Sequence, residues 1–340
     1  MKTNPYTLIF GKEPSQLLSR YPDTYNIIDD FESENSNHIF MLTGVRGSGK
    51  TVMMTTISKH FSKEDDWIVI DLTPDINLIQ SFNAELGESK KLKQHFKAEG
   101  ISISLPGLQV NIEKNEPVTD ERMAAIRMLE LAAKKNLKVL VTIDETISNK
   151  SVRTFASLFQ IFLRKDLPVY LIMTGLHENI NILQNEETLT FLYRAPKVEM
   201  KPLSISNISK NYQKTFSIDA DTAKTMARLT KGYPFAFQVL GFFTWNENGD
   251  YLKILDEYKQ YLGDYVYEKI WLSLSPKDRQ ITIAIASSEK RNTAEIKELL
   301  GLKQNEFSPY RKRLIDKGII TSTGHGSFEF TLPFFDEYVL

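Results

Sequence analysis

The chain of 340 residues contains no cysteine. Disulfides and thiolate-held metals are thereby excluded, and such a composition suits a reducing compartment. No apolar run approaches the roughly 20 residues that span a bilayer. Residues 1–16 (MKTNPYTLIFGKEPSQ) lack the continuous apolar segment of a secretory signal. The expectation is a soluble, cytoplasmic protein with no membrane partner. Histidine is scarce, with five scattered residues and no H-x-x-x-H spacing, so no histidine-held metal site is expected. An excess of either charge is missing too: 42 Lys and Arg stand against 43 Asp and Glu, leaving a net charge of −1. No global field draws the molecule onto nucleic acid or membrane, and any such binding needs a local patch. What remains is an ordinary globular balance, 41% hydrophobic and 25% charged, in a chain long enough for two or three cores.

Short apolar runs alternate with amphipathic segments through the first 200 residues, the signature of a βαβ parallel sheet. The runs are 38–43 (HIFMLT), 67–72 (WIVIDL), 139–143 (VLVTI) and 169–174 (VYLIMT). Near-continuous hydrophobicity predicts strands covered on both faces, whereas the alternating 197–201 (KVEMK) predicts an edge strand. Met53, Ile57 and Phe61 form one helical stripe; Val152, Phe155, Phe159 and Phe162 form another. Residues 101–114 (ISISLPGLQVNIEK) read as a β-hairpin insertion around Pro106-Gly107. From about residue 203 helices dominate. A helix over 219–231 is expected to end at Gly232, with Pro234 opening the next. Helices at about 277–287, 293–300 and 305–317 then lead to two alternating runs around Gly324-His325-Gly326, the pattern of a winged helix-turn-helix. The expected fold class is α/β: a three-layer core with a parallel sheet over 1–202, a helical lid over 203–272 and a winged helix over 273–340.

Gly44, Val45, Arg46, Gly47, Ser48, Gly49, Lys50 and Thr51 match G-x-x-x-x-G-K-[ST] in full, after a strand and before an amphipathic helix. Such glycines let successive N–H groups face a phosphate at a helix N-terminus. Lys50 would neutralise β- and γ-phosphates, and the Thr51 hydroxyl would ligate Mg2+. The strand 138–145 (KVLVTIDE) ends in two acids. Asp144 fits the carboxylate of the magnesium shell and Glu145 a general base for attacking water. Thr174 closes the next strand, where a hydroxyl can contact the γ-phosphate or position that water. Arg194 precedes the edge strand and can stabilise γ-phosphate charge within its own subunit or across an interface.

This order of motifs resembles the AAA+ and STAND divisions of P-loop ATPases, above all the archaeal-type ATPases with a C-terminal winged helix, to which the origin-recognition initiators are related. In residues 17–31 Arg20 stands where that family carries a leading arginine, although Ser19 replaces its frequent glycine. The stretch FLYRAPKVEMKPLS resembles the family's passage from arginine to Pro-Leu. Residues 231–241 (KGYPFAFQVLG) resemble the GxP lid motif, with Gly232 and Pro234 in the matching places. The resemblance implies ATP and ADP as ligands, Arg20, Gly232 and Pro234 near the adenine, and a lid that reports nucleotide state. Residues 233–241 contain no arginine, which departs from the AAA+ lid and favours a switch over a ring-forming motor.

A recognition helix over 303–317 would offer Lys303, Arg311, Lys312, Arg313 and Lys317 to phosphates and Gln304, Asn305 and Ser308 to base edges. The competing reading is a module that packs on protein with a solvated charged face. Two hypotheses follow: an ATP-hydrolysing switch that binds double-stranded DNA, or a STAND-like regulatory module, ADP-bound at rest, with a protein partner. A phosphotransferase is disfavoured, because nothing suggests a second substrate pocket. Glu64, Asp65 and Asp66 read as a solvated loop, and Phe235, Phe237, Phe242, Phe243 and Trp245 as core.

Overall fold

The computed structural model of the chain describes residues 3–9, 18, 23–74, 77–110, 116–324 and 326–340. Arg20, residues 111–114 of the expected hairpin and His325 of the expected turn lie outside these, as does the side chain of Gln304. The chain folds as two compact units, one of residues 21–43 and 53–199, the other of residues 1–20, 44–52 and 200–340.

The first unit holds β1 (Ile39–Thr43), β2 (Trp67–Leu72), β3 (Ile103–Leu105), β4 (Leu108–Val110), β5 (Lys138–Ile143), β6 (Val169–Gly175) and β7 (Lys197–Glu199). Five of these make a sheet ordered β2-β5-β6-β1-β7, parallel at every pairing. β1 and β6 are buried at every residue, as their unbroken apolar runs require. Among the described residues β7 pairs only with β1, and it is exposed at Lys197 and Glu199, the alternation expected of an edge. β3 and β4 form the antiparallel hairpin around Pro106-Gly107.

Helix Lys150–Arg164 shows why such segments fold. The Asn149 side chain accepts from the Val152 N–H at its start, satisfying a donor the helix cannot use itself. Val152, Phe155, Phe159 and Phe162 all point into the core, with Phe82 at 5.7 Å from Phe155 and 5.9 Å from Phe162 between ring centroids. Burying each such ring contributes roughly 1.5–3 kcal/mol. Met53, Ile57 and Phe61 are likewise buried on one stripe of helix Lys50–Phe61.

The second unit is mainly helical. Ile205–Phe216, Ala220–Leu229 and Pro234–Asn246 come first, then Leu255–Leu262, Glu268–Leu272, Pro276–Ser287, Thr293–Leu300 and Gln304–Asp316. Strands β8 (Ile320–Gly324) and β9 (Ser327–Phe330) pair as an antiparallel hairpin before the short helix Phe335–Val339. The three helices and hairpin anticipated at the C-terminal end are thus present in order. Tyr6 joins this core, 2% exposed, with its ring against Phe237 and its hydroxyl donating to Asn211. Of the predicted aromatic cluster Phe237 is fully buried and Phe235, Phe242 and Phe243 pack around the same core.

One boundary differs from the prediction. The helix expected to run over 219–231 covers Ala220–Leu229, with Asp219 as its N-cap. The chain has already turned left-handed at Lys231 (φ 48°) and stays so at Gly232 (φ 74°). Tertiary partners fix this early turn: Leu203 N–H bonds to the Gly232 carbonyl at 2.7 Å, and the Lys231 ammonium donates to the Phe330 carbonyl at 3.0 Å. At Gly232 a Cβ would stand 2.5 Å from the Leu203 carbonyl oxygen, so glycine is required on two counts.

Among the described residues no helix is long and apolar enough to cross a membrane.

Candidate functional site

The glycine-rich motif of residues 44–51 begins where β1 ends, at Thr43, and closes into the first turn of helix Lys50–Phe61. Gly47 (φ 73°) and Gly49 (φ 89°) adopt left-handed backbone that side chains oppose. Lys50, 9% exposed, donates from Nζ to the carbonyls of Gly44 at 3.0 Å and Val45 at 2.9 Å. The Arg46 carbonyl accepts from the buried hydroxyl of Tyr233 at 2.6 Å. Burial pushes that hydroxyl's pKa far up, outweighing the nearby Arg46 charge, so it stays protonated and donates. A Cβ at Gly47 would stand 2.2 Å from the Tyr233 oxygen. The resemblance to a lid motif singled out Gly232 and Pro234 but not Tyr233, the residue between them that makes the hydrogen bond; a tyrosine there carries no signal of its own. A second neighbour was equally invisible. At Gly318 (φ 65°), after helix Gln304–Asp316, a Cβ would lie 2.5 Å from Cγ1 of Val45.

In the sheet unit, register brings the two acids' strand and the threonine's strand level. Ile143 pairs with Met173, so Asp144 and Thr174 follow side by side at the carboxyl ends of β5 and β6. Thr43 is level with Gly175 and with Glu199 along the same edge. Carboxyl ends of parallel strands are where open α/β sheets bind ligands. Thr174 is fully buried and donates its hydroxyl proton to Oδ1 of Asp144. The Glu145 N–H is shared between that Oδ1 at 3.0 Å and Thr174 Oγ1 at 3.2 Å. Glu145 sits at φ 48°, a strained conformation for a residue with a side chain, and its carboxylate is exposed. Thr174, expected to contact the γ-phosphate or to position the attacking water, has its hydroxyl proton on the acid here.

A threonine hydroxyl and an aspartate carboxylate, the groups Thr51 and Asp144 each carry, are oxygen donors of the kind Mg2+ takes alongside water and substrate phosphates. Among the described residues there is no group of three or more His, Cys, Asp and Glu that could hold a metal by itself. Glu64, Asp65 and Asp66 are exposed in a turn. Arg194 is exposed at the end of the 3-10 segment Glu187–Arg194 and enters β7 from its amino end. Lys197 is level with Met41, so Arg194 precedes β7 at its amino end.

Helix Gln304–Asp316 uses much of its basic charge internally. The Arg313 guanidinium donates at 3.1 Å to Asp278, a carboxylate 1% exposed, and lies over the Tyr310 ring. Arg311 covers the Phe328 ring at 5.4 Å. Lys312 is exposed, with Asp316 at 3.9 Å. Lys303 and Asn305 are exposed; Ser308 and Lys317 are half-buried.

A family model described as a domain of unknown function (DUF8462) matches residues 264–339. No protein of curated function matches the chain by sequence. Solved structures do match over nearly its whole length. The Walker-type ATPase PABY2304 of Pyrococcus abyssi is 17% identical with a TM-score of 0.68, covering 96% of both chains. The Aeropyrum pernix ORC2 protein is 10% identical with a TM-score of 0.61, over 97% of this chain and 95% of its own. Cdc6p of Pyrobaculum aerophilum is 13% identical with a TM-score of 0.50, over 96% of this chain and 94% of its own. The chain therefore has the fold seen in the archaeal Walker-type ATPase and origin-recognition-type proteins, the fold its motifs led one to expect.

Proposed function

We propose that this protein is an ATP-binding switch that hydrolyses ATP slowly. The observation that carries the reading is the complete motif of residues 44–51, with left-handed glycines at Gly47 and Gly49 and a helix starting at Lys50. Loop N–H groups and Lys50 would hold the phosphates, and Thr51 and Asp144 would hold Mg2+, which supplies charge neutralisation of the phosphates. Glu145 would take the proton of the attacking water, aimed by the two hydrogen bonds its own N–H makes. The Aeropyrum pernix ORC2 relative was captured in ADPNP and ADP complexes, which supports nucleotide as the ligand here. Replacing Lys50 with Ala should abolish ATP binding in an equilibrium titration. Unchanged affinity would sink the whole reading.

The output of the switch has two candidates. Double-stranded DNA on helix Gln304–Asp316 would be held by Lys303, Lys312 and Lys317, giving binding that weakens steeply with salt. A protein-packing, STAND-like module, ADP-bound at rest, is the second reading. The internal engagement of Arg311 and Arg313 favours it. Lys312→Glu separates the two, because it leaves those internal contacts in place.

A further inference from the structure

We propose that Tyr233 is a positioning residue for phosphate recognition, whose hydroxyl orients the peptide between Arg46 and Gly47 so that the Gly47 N–H faces a bound nucleoside polyphosphate. The proposal rests on the reading of residues 44–51 as a phosphate-binding loop. Its first support is the bond from the Tyr233 hydroxyl to the Arg46 carbonyl, 2.6 Å long. In a planar trans peptide the C=O and the following N–H point in opposite directions. Holding the Arg46 carbonyl on the tyrosine's side therefore turns the Gly47 N–H to the other side. Without a clamp that peptide is free to flip, since glycine accepts either sign of φ.

Packing supports the same role. The Tyr233 oxygen would lie 2.2 Å from a Cβ at Gly47, and Phe235 Cβ 3.0 Å from it, so ring and loop are in direct contact. The carbonyls of three consecutive loop residues each accept from a side chain, Gly44 and Val45 from Lys50 and Arg46 from Tyr233. Lys50 belongs to the motif itself. Tyr233 does not: it is the N-cap of helix Pro234–Asn246. The orientation of one phosphate-facing N–H is thereby tied to the position of that helix.

Tyr233→Phe removes the donor and keeps the ring. Affinity for ATP and ADP, measured with fluorescent analogues, should fall about tenfold, the order of one lost hydrogen bond. The thermal midpoint without nucleotide should move by no more than a few degrees, and amide exchange across residues 44–52 should speed up. Lys50→Ala is run beside it. Should Lys50→Ala still bind nucleotide, the loop reading itself fails. Should Lys50→Ala lose binding while Tyr233→Phe binds as tightly as the parent, the positioning role is overturned and the loop reading stands. An affinity loss that appears only with a collapse of the nucleotide-free midpoint also overturns it, because that marks a packing role.

Discussion

Thr174 gives its hydroxyl proton to Oδ1 of Asp144, and the Glu145 N–H closes the triangle by bonding to both oxygens. The consequence is that three residues at the carboxyl edge of the sheet behave as one unit. A buried threonine aims the acid, and the pair together hold the strained backbone of the next residue.

Thr174→Val keeps the shape and removes the hydroxyl. Partners that orient a metal-binding carboxylate are worth about 10–100-fold when lost. Phosphate release should therefore fall by that factor in the presence of Mg2+. Nucleotide affinity in EDTA should stay within about twofold of the parent, since the hydroxyl acts through the acid.

Glu145→Gln preserves the chain's geometry and removes the proposed base. ATP should bind as before, while turnover drops by about 10²–10⁴, the range attributable to a positioned general base. A single-turnover assay is the measurement, and a loss below threefold would assign the base elsewhere.

Gly318→Ala introduces a Cβ 2.5 Å from Val45 Cγ1 at a left-handed φ of 65°. Strain and overpacking together should lower stability by about 1–3 kcal/mol. Adding Val45→Ala should recover part of that loss, and the non-additivity of the double-mutant cycle reports the contact directly.

Arg313→Ala strands the buried Asp278 carboxylate without its guanidinium. Chemical denaturation should show a loss of about 1–3 kcal/mol. Any fall in DNA binding by that variant would then be confounded by stability. Lys312→Glu, which is exposed, is expected to leave the denaturation midpoint unchanged.

Glu99 is bonded by Lys134 and by Lys135, the latter at 2.8 Å, and these ammonium groups hold its carboxyl down to about 2 from an ordinary 4.5. A depressed carboxylate stabilises the fold above the unfolded pKa and loses that contribution as pH falls through the folded one. The parent should therefore lose stability between about pH 4.5 and 2 more steeply than Glu99→Gln, as read by thermal midpoints across that window.

Much of the fold was legible because its signals are local. Four apolar runs and one alternating run became five parallel strands, and the alternating one fell at an edge. A glycine-rich turn needs only its own backbone, so residues 44–51 could be read without knowing what surrounds them. The extent of helix Ala220–Leu229 was less legible, since a left-handed Lys231 is imposed by Leu203 and Phe330 far along the chain.

The sequence by itself determined the phosphate loop, the acid-tipped strand and the order of elements, since spacing and strand–helix periodicity carry them. Only the tertiary structure decided which neighbours those residues meet. It placed Thr174 on Asp144 rather than toward solvent, set Arg194 before the amino end of β7, and laid Arg311 over Phe328 of β9 and Arg313 against Asp278. It also put Tyr233 on Arg46 and Gly318 on Val45. The physical reason is sequence distance. A hydrogen bond between residues 187 positions apart leaves no periodic trace in the chain, and it exists only once both segments have packed.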